Sequence, residues 1–357
     1  MQALPQATPV RLRSPVPYDI WAAVVAFADF YTLAAISLVC KELKHEAAKH
    51  LWRSFTLRVD PSFDDIWGRR HLEEGCAIIL TERRYLRVQN IRIDIQSALG
   101  AELEPEVDKT LRTIFHTLHH CSSLRSLSIT SAHHRTKIAR SLSLQPFAFT
   151  KLQHFSTDLF CDENLHGFWG RHQQLTYIEL RAVDPGISNV PSPLPSLEGI
   201  YASLAHHTAV IPGSPVKSVH ISGLWEGECT LLMHNLEQST SPGGIQHLSM
   251  EIFDTEVTAH PYTSIIANLP HLKSLSVTHG DMADRDDRAA AINALCQLQE
   301  LEVFEWGGGS AAGQADIFAA CSKNCKSLRQ ISFRWGNYFQ RKFVRDSEHA
   351  AWGIVRQ

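Results

Sequence analysis

The sequence predicts an α/β chain in two parts, a short all-helical unit followed by an irregular solenoid of strand–helix repeats. Three observations predict it. The pattern apolar-x-x-apolar-x-apolar returns again and again from Val88 onward. Amphipathic stretches lie between the copies, as where Leu111, Ile114, Phe115 and Leu118 share one helical face with Val107. Ahead of the first copy, residues 15–59 carry helix-start signals and apolar residues at helical spacing.

The helical unit comes first in the chain. Pro17 supplies a preset φ for a first turn, and Asp19 places negative charge at the N-terminal end of a helix dipole. Ile20, Val24 and Phe27 follow on one stripe, and a second helix carries Leu33, Ile36 and Leu38 into Val39-Cys40-Lys41. A third places Ala47, Ala48, Leu51 and Trp52 on one side. Three helices of this size bury little on their own, so apolar surface is left over for a partner.

The repeats follow. Copies stand at Val88-Ile91-Ile93, Leu124-Leu127-Ile129, Leu152-Phe155-Thr157, Leu175-Ile178-Leu180 and Leu197-Ile200-Ala202. Five more stand at Val216-Val219-Ile221, Ile245-Leu248-Met250, Leu272-Leu275-Val277, Leu298-Leu301-Val303 and Leu328-Ile331-Phe333. From Leu124 to Leu328 the mean step is about 25 residues, the period of leucine-rich repeats. One such repeat cannot bury its apolar face alone; stacked neighbours share a continuous core. Pro185–Pro215, rich in Pro and Ser, is expected to loop out rather than complete a helix. The organisation expected is a disordered lead over 1–14, the helical domain over 15–59 and a helical linker over 60–85 that uses Ile66, Trp67, Ile78, Ile79 and Leu80. The repeat solenoid over 86–340 and a tail over 341–357 complete it.

With a side-chain period of two, residues between the buried strand positions face outward on the concave side. This face reads as small, polar and nearly neutral, with Tyr177, Glu179, Arg181, Tyr201 and His220 in its middle and Glu300, Glu302 and Phe304 in the ninth copy. It lacks the clustered arginines that a phosphorylated motif would require. Trp225, Trp306 and Trp335 each lie just past a strand end and are expected to gather on one rim, where aromatic residues make binding hot spots. These eight positions, from Tyr177 to Trp335 without the ninth-copy residues, are the target-binding candidates.

Pro17-x-Asp19-Ile20-Trp21, Leu33, Ser37-Leu38-Val39-Cys40-Lys41 and Leu51-Trp52, in that order and spacing, resemble an F-box. The likeness is to the Pro-x-Asp-Ile-Trp variety of fungal F-box proteins, here followed by degenerate leucine-rich repeats. Val16 stands where that family often has Leu, and Leu43 where it often has Trp. The resemblance covers about forty residues and implies docking on the Skp-type adaptor, and through it the cullin, of an SCF (Skp–cullin–F-box) ubiquitin ligase. The residues implied for that contact are Pro17, Ile20, Leu33, Leu38, Val39 and Trp52.

Composition narrows the alternatives. A formal net charge of −3 with no long basic or acidic block gives no signal for nucleic acid or an anionic membrane. The longest apolar run, Ile20–Ala28, is too short to span a bilayer. Eight cysteines at scattered spacings, with no secretory signal, suit reduced thiols in the cytoplasm or nucleus. His45 and His50 are five residues apart and so about 140° apart on a helix, which excludes a zinc-protease pair. Cys321 and Cys325 stand one turn apart without a second pair, so no metal is expected: Cys321 reads as core and Cys325 as the position before a strand. Gly307-Gly308-Gly309-Ser310 lacks the Lys of a phosphate loop. His119-His120, His133-His134 and His206-His207 read as solvent-facing. No motif indicates catalysis or a cofactor, and a non-catalytic protein is expected. Two functions fit: the substrate receptor of an SCF-type ligase, or a leucine-rich-repeat scaffold with no ligase role.

Overall fold

A computed structural model describes the chain apart from residues 1–17, 29, 60–64, 96–103, 146–147, 160–161, 182–192, 255, 280, 283–284, 309–310, 336–338, 348–349 and 356–357. The 1–14 lead and Pro17 therefore lie outside the described residues.

Three short helices open it: α1 (Tyr18–Ala26), α2 (Phe30–Ile36) and α3 (Lys41–Leu51). Helices α1 and α2 each pack on α3, and the buried centre is Val25, Leu33 and Ala47, flanked by Ala28, Ile36, Leu43 and Leu51. The Ile20–Val24–Phe27 stripe faces outward instead, with Phe27 92% exposed. Only the Val25 side of α1 meets α3, and Ala47 gives α3 too little bulk to cover more. Leu38 and Val39 fall in the turn after α2, where their amides donate to the carbonyls of Ala35 and Ile36.

Next come β1 (Ser54–Val59), α4 (Asp65–Leu80), β2 (Asn90–Ile95), α5 (Glu104–His120), β3 (Ser126–Ser131), α6 (Arg135–Leu144) and β4 (His154–Thr157). They continue with α7 (Glu163–Gly170), β5 (Tyr177–Leu180), β6 (Gly199–Ala202), α8 (Leu204–Val210), β7 (Ser218–Leu224), α9 (Cys229–Leu236) and β8 (His247–Ile252). A two-residue strand β9 (Glu256–Val257), α10 (His260–Asn268), β10 (Ser274–Thr278), a partner strand β11 (Asp281–Met282) and α11 (Arg285–Leu295) follow. The chain closes with β12 (Val303–Gly307), α12 (Ala311–Asn324), β13 (Gln330–Trp335), β14 (Phe339–Val344) and β15 (Gly353–Val355). Thirteen strands form one sheet in chain order, parallel from β1 to β13, while β9 and β11 pair apart from it. Each strand is followed by a helix or loop and then the next strand alongside, which is a solenoid of leucine-rich-repeat character. The three apolar positions of each copy stack in register, Phe155 beside Ile178, Ile200 and Val219, all buried.

The parallel sheet starts earlier than expected. Phe55 pairs with Ile91 and Leu57 with Ile93, and the Asn90 amide donates to the Arg53 carbonyl at 3.0 Å, as the Ser126 amide does to Gln89 one repeat later. Trp52-x-x-Phe55-x-Leu57 is thus a further copy of the motif, so 52–59 belongs to the solenoid and not to the helical domain. The 60–85 stretch is equally a repeat segment: α4 packs on β1, and Cys76 and Ile79 are buried in the shared core. The side chains of Ile66 and Trp67 lie outside the described ones.

The ninth copy is displaced by three residues. Leu275 pairs with Phe304, and Phe304 with Ile331, so the core triplet is Leu301-Phe304-Trp306, all buried, rather than Leu298-Leu301-Val303. Its outward residues are Val303 and Glu305 in place of Glu300, Glu302 and Phe304. The expected tail from 341 is also structured: β14 adds to β13 antiparallel, and β15 adds to β14 in the same way. Buried Arg345 holds this end, its guanidinium donating to the carbonyls of Leu328 (2.7 Å), Cys325 (2.7 Å) and Lys326 (3.0 Å). In the Pro- and Ser-rich stretch, 182–192 is outside the described residues, but Gly199–Ala202 and Leu204–Val210 form β6 and α8 instead of looping out.

Carboxylates tie successive repeats at the ends of the strands. Asp158 accepts from the Ser131 amide (2.8 Å), Asp254 from Glu226 (2.5 Å) and Asp287 from Ala259 (3.0 Å). Each satisfies a loop amide that the sheet leaves over.

Candidate functional site

Strand pairing places one outward row along the middle of the concave face. It runs Ser156, Glu179, Tyr201, His220, Ser249, Ser276, Glu305, Ser332, each opposite the next, at steps of about 4.8 Å. Five of the expected target-binding residues meet on or beside this row. Tyr201 stacks on His220 with ring centroids 4.3 Å apart, and Glu179 pairs with Arg181 at 2.7 Å. Tyr177 flanks them, its hydroxyl pKa raised by burial and by Glu179. Gly199 leaves room for that ring: a Cβ there would stand 2.8 Å from Tyr177 Cδ2.

Toward the C-terminal repeats the face deepens into a concavity of about 590 Å³ lined by His220, Glu251, Ser276, Thr278, Glu305 and Arg334, among others. Arg334 and Glu305 form an ion pair at 2.5 Å across its floor. Burial lowers the pKa of His220, so the ring is neutral and offers a hydrogen bond rather than a charge. Hydroxyls, one ion pair and stacked rings can bind peptide groups and polar side chains; they present no single-sign field.

Trp306 is not on a rim. It is 2% exposed, stacked on Tyr262 at 5.6 Å and edge-on to His279 at 4.6 Å. The buried Tyr262 hydroxyl lies in hydrogen-bond contact with His279 Nε2 at 2.8 Å, and this cluster underlies the concavity. The displaced ninth copy explains the error, since Trp306 occupies its third core position. Trp225 does lie exposed past β7, and its partner is Phe253, at 6.2 Å edge-to-face and equally exposed. Phe253 carried no sequence signal beyond following the Ile252 end of its copy. Gly223, with φ of +74°, sits where a Cβ would stand 2.9 Å from the Phe253 ring, so glycine permits this pairing. The Trp335 side chain lies outside the described ones.

The second surface is the outer side of α1–α3. Ile20, Trp21, Val24, Phe27, Tyr31, Leu38 and Val39 are all exposed, Leu38 by 87% and Val39 by 70%. Two residues expected to face a partner do not: Leu33 is buried in the three-helix centre, and Trp52 stacks on Phe55 at 5.7 Å beneath the Arg84 guanidinium at 3.9 Å. Trp52 is committed to the first repeat.

His206 and His207 are buried, not solvent-facing. His206 Nδ1 lies 2.7 Å from Ser203 Oγ, and His207 Nε2 donates to the Ala202 carbonyl at 3.1 Å. Burial pushes His206 down to about 4 and His207 to about 3. Among the described residues no helix is long and apolar enough to cross a membrane.

No protein-family model matches the chain, and no curated protein matches it. Among solved structures it is similar to the crystal structure of a TLR13–ssRNA13 complex, at 12% identity and a TM-score of 0.35, over 81% of this chain and 33% of that one. It is also similar to the structure of the Leptospira interrogans LRR protein LIC12759, at 9% identity and a TM-score of 0.22, over 90% of this chain and 87% of that one. The chain thus spans about a third of the length of the first. Likenesses this distant leave the repeat assignment resting on the strand ladder itself.

Proposed function

We propose that the chain is the substrate-receptor subunit of an SCF-type E3 ubiquitin ligase. Helices α1–α3 dock on a Skp-type adaptor, and through it a cullin, while the concave face holds a target protein. The observation that carries this reading is the exposed apolar set Ile20, Trp21, Val24, Phe27, Tyr31, Leu38 and Val39 on a unit whose buried apolar centre, among the described residues, is Val25, Leu33 and Ala47. A surface of that kind is covered by a partner in the working protein, and its residues coincide with the F-box-like motif. Ile20, Leu38 and Val39 make the contact, with Pro17, and Leu33 supports it from the three-helix centre, while Trp52 is taken up by the first repeat. The chain transfers no ubiquitin itself. It raises the local concentration of a target and orients a lysine, in the cytoplasm or nucleus.

The test is co-purification of the full chain with a Skp-type adaptor, beside an Ile20→Ala/Leu38→Ala/Val39→Ala variant. The parent binds, and the variant, folded because its changes are all at exposed positions, loses binding at least tenfold. A folded parent that captures no adaptor overturns the proposal. It leaves the second reading, a repeat scaffold with no ligase role, which the burial of Leu33 and the stacking of Trp52 on Phe55 favour.

A further inference from the structure

We infer that Cys296, Cys321 and Cys325 form a binding site for a thiophilic closed-shell cation, Zn²⁺ or Cu⁺. Their three Sγ atoms lie within 4.8 Å of one another, with Cys325 Sγ 2.8 Å from Cys296 Sγ. Two adjacent helices converge to bring them there. Cys321 lies in the last turns of α12 and Cys325 one turn beyond, its amide donating to the Cys321 carbonyl at 3.0 Å, so both sulfurs share a face. Cys296 follows α11, its amide on the Ile292 carbonyl at 3.0 Å. Sequence spacing alone shows the Cys321–Cys325 pair; stacking of the repeats supplies the third sulfur.

The chemistry suits a soft ion. Zn–S bonds of about 2.3 Å set tetrahedral sulfurs roughly 3.8 Å apart, and Cu⁺ is satisfied by soft thiolates. The cluster brackets that spacing: the Cys296–Cys325 pair stands closer, at 2.8 Å, and parts by about 1 Å to admit the ion. Cys321 and Cys325 are buried while Cys296 is partly exposed, which leaves an entry path and room for water as a fourth zinc ligand. Buried Arg345, bonded to the carbonyls of Cys325 and Lys326, fixes the turn that carries Cys325 and sets a positive charge beside the thiolates. Binding forms three metal–sulfur bonds and releases the thiol protons of the three cysteines to solvent, with no change of oxidation state.

The experiment titrates the reduced, chelator-treated full chain with Co²⁺, a spectroscopic stand-in for zinc, and separately with Cu⁺ against a chromogenic chelator. One equivalent of Co²⁺ giving a thiolate-to-metal charge-transfer band, displaced by Zn²⁺, supports a zinc site; retention of one Cu⁺ against the chelator without a cobalt band supports a copper site. Histidine-held cobalt gives no such band. Cys296→Ser, at the partly exposed position, lowers affinity at least tenfold, while Cys229→Ser, buried elsewhere, leaves it unchanged. Neither metal retained by the folded, reduced chain overturns the inference. So does a Cys296–Cys325 disulfide in the untreated protein that shows no metal uptake after reduction.

Discussion

Helices α1–α3 and the solenoid treat the same kind of residue in opposite ways. In the solenoid the strand triplets from β2 to β13 are buried in the shared core, so Ile178 and Leu248 vanish from the surface. Among the described residues of α1–α3 the buried apolar side chains are Val25, Leu33 and Ala47, while Phe27, Leu38 and Val39 stand almost bare. Apolar spacing announces that a face is to be buried, but not whether the chain itself supplies the cover. Where the next element is another copy, burial is internal and shared by the array. Where it is one short helix bearing Ala47, a face is left exposed among the described residues.

The contrast can be broken most forcefully inside the array. Phe155→Ala removes a fully buried ring between two copies and is expected to cost about 3–5 kcal/mol in urea unfolding, with loss spread over the neighbouring repeats. Leu33→Ala costs about 2 kcal/mol or more locally and opens α1–α3 in hydrogen exchange, while strands β2–β13 keep their protection. Arg345→Ala orphans the carbonyls of Leu328, Cys325 and Lys326 and costs about 1–3 kcal/mol, read as faster exchange confined to β13–β15.

His206 and His207 sharpen the picture through pH. Held at about 4 and about 3 in the fold, they stay neutral where the released rings, with an ordinary pKa near 6.5, bind protons. The unfolded state therefore takes up more protons, and stability falls as the pH drops from 6.5 toward 3, by about 1 kcal/mol per pH unit for each ring. His207→Gln flattens that slope in denaturant titrations from pH 4 to 7, whatever its effect at neutral pH. The smallest stability change belongs to the exposed face: Ile20→Ser and Val39→Ser stay within about 0.5 kcal/mol of the parent.

Much of the solenoid was legible because one triplet spelling recurs and only a parallel ladder satisfies it. The errors have local causes. Leu298-x-x-Leu301-x-Val303 and Leu301-x-x-Phe304-x-Trp306 both fit the spelling, and only pairing with Leu275 and Ile331 selects the second. Trp52-x-x-Phe55-x-Leu57 was masked because Leu51-Trp52 also completes the helical motif. The antiparallel strand Phe339–Val344 carries charged Arg341 and Lys342 and lacks the triplet, so nothing marked it as part of the sheet. The candidate surfaces were half visible. Glu179, Tyr201 and His220 fall where period two places them, whereas the Tyr262–His279–Trp306 floor and the Cys296 sulfur depend on contacts between separate repeats.

Hydrogen exchange of the full chain, with and without a Skp-type adaptor, tests the division of labour most directly. Slowed exchange confined to 18–51, with β1 onward unchanged, is the predicted result. No change in α1–α3 of a folded chain, or protection falling on the repeat strands instead, would contradict it.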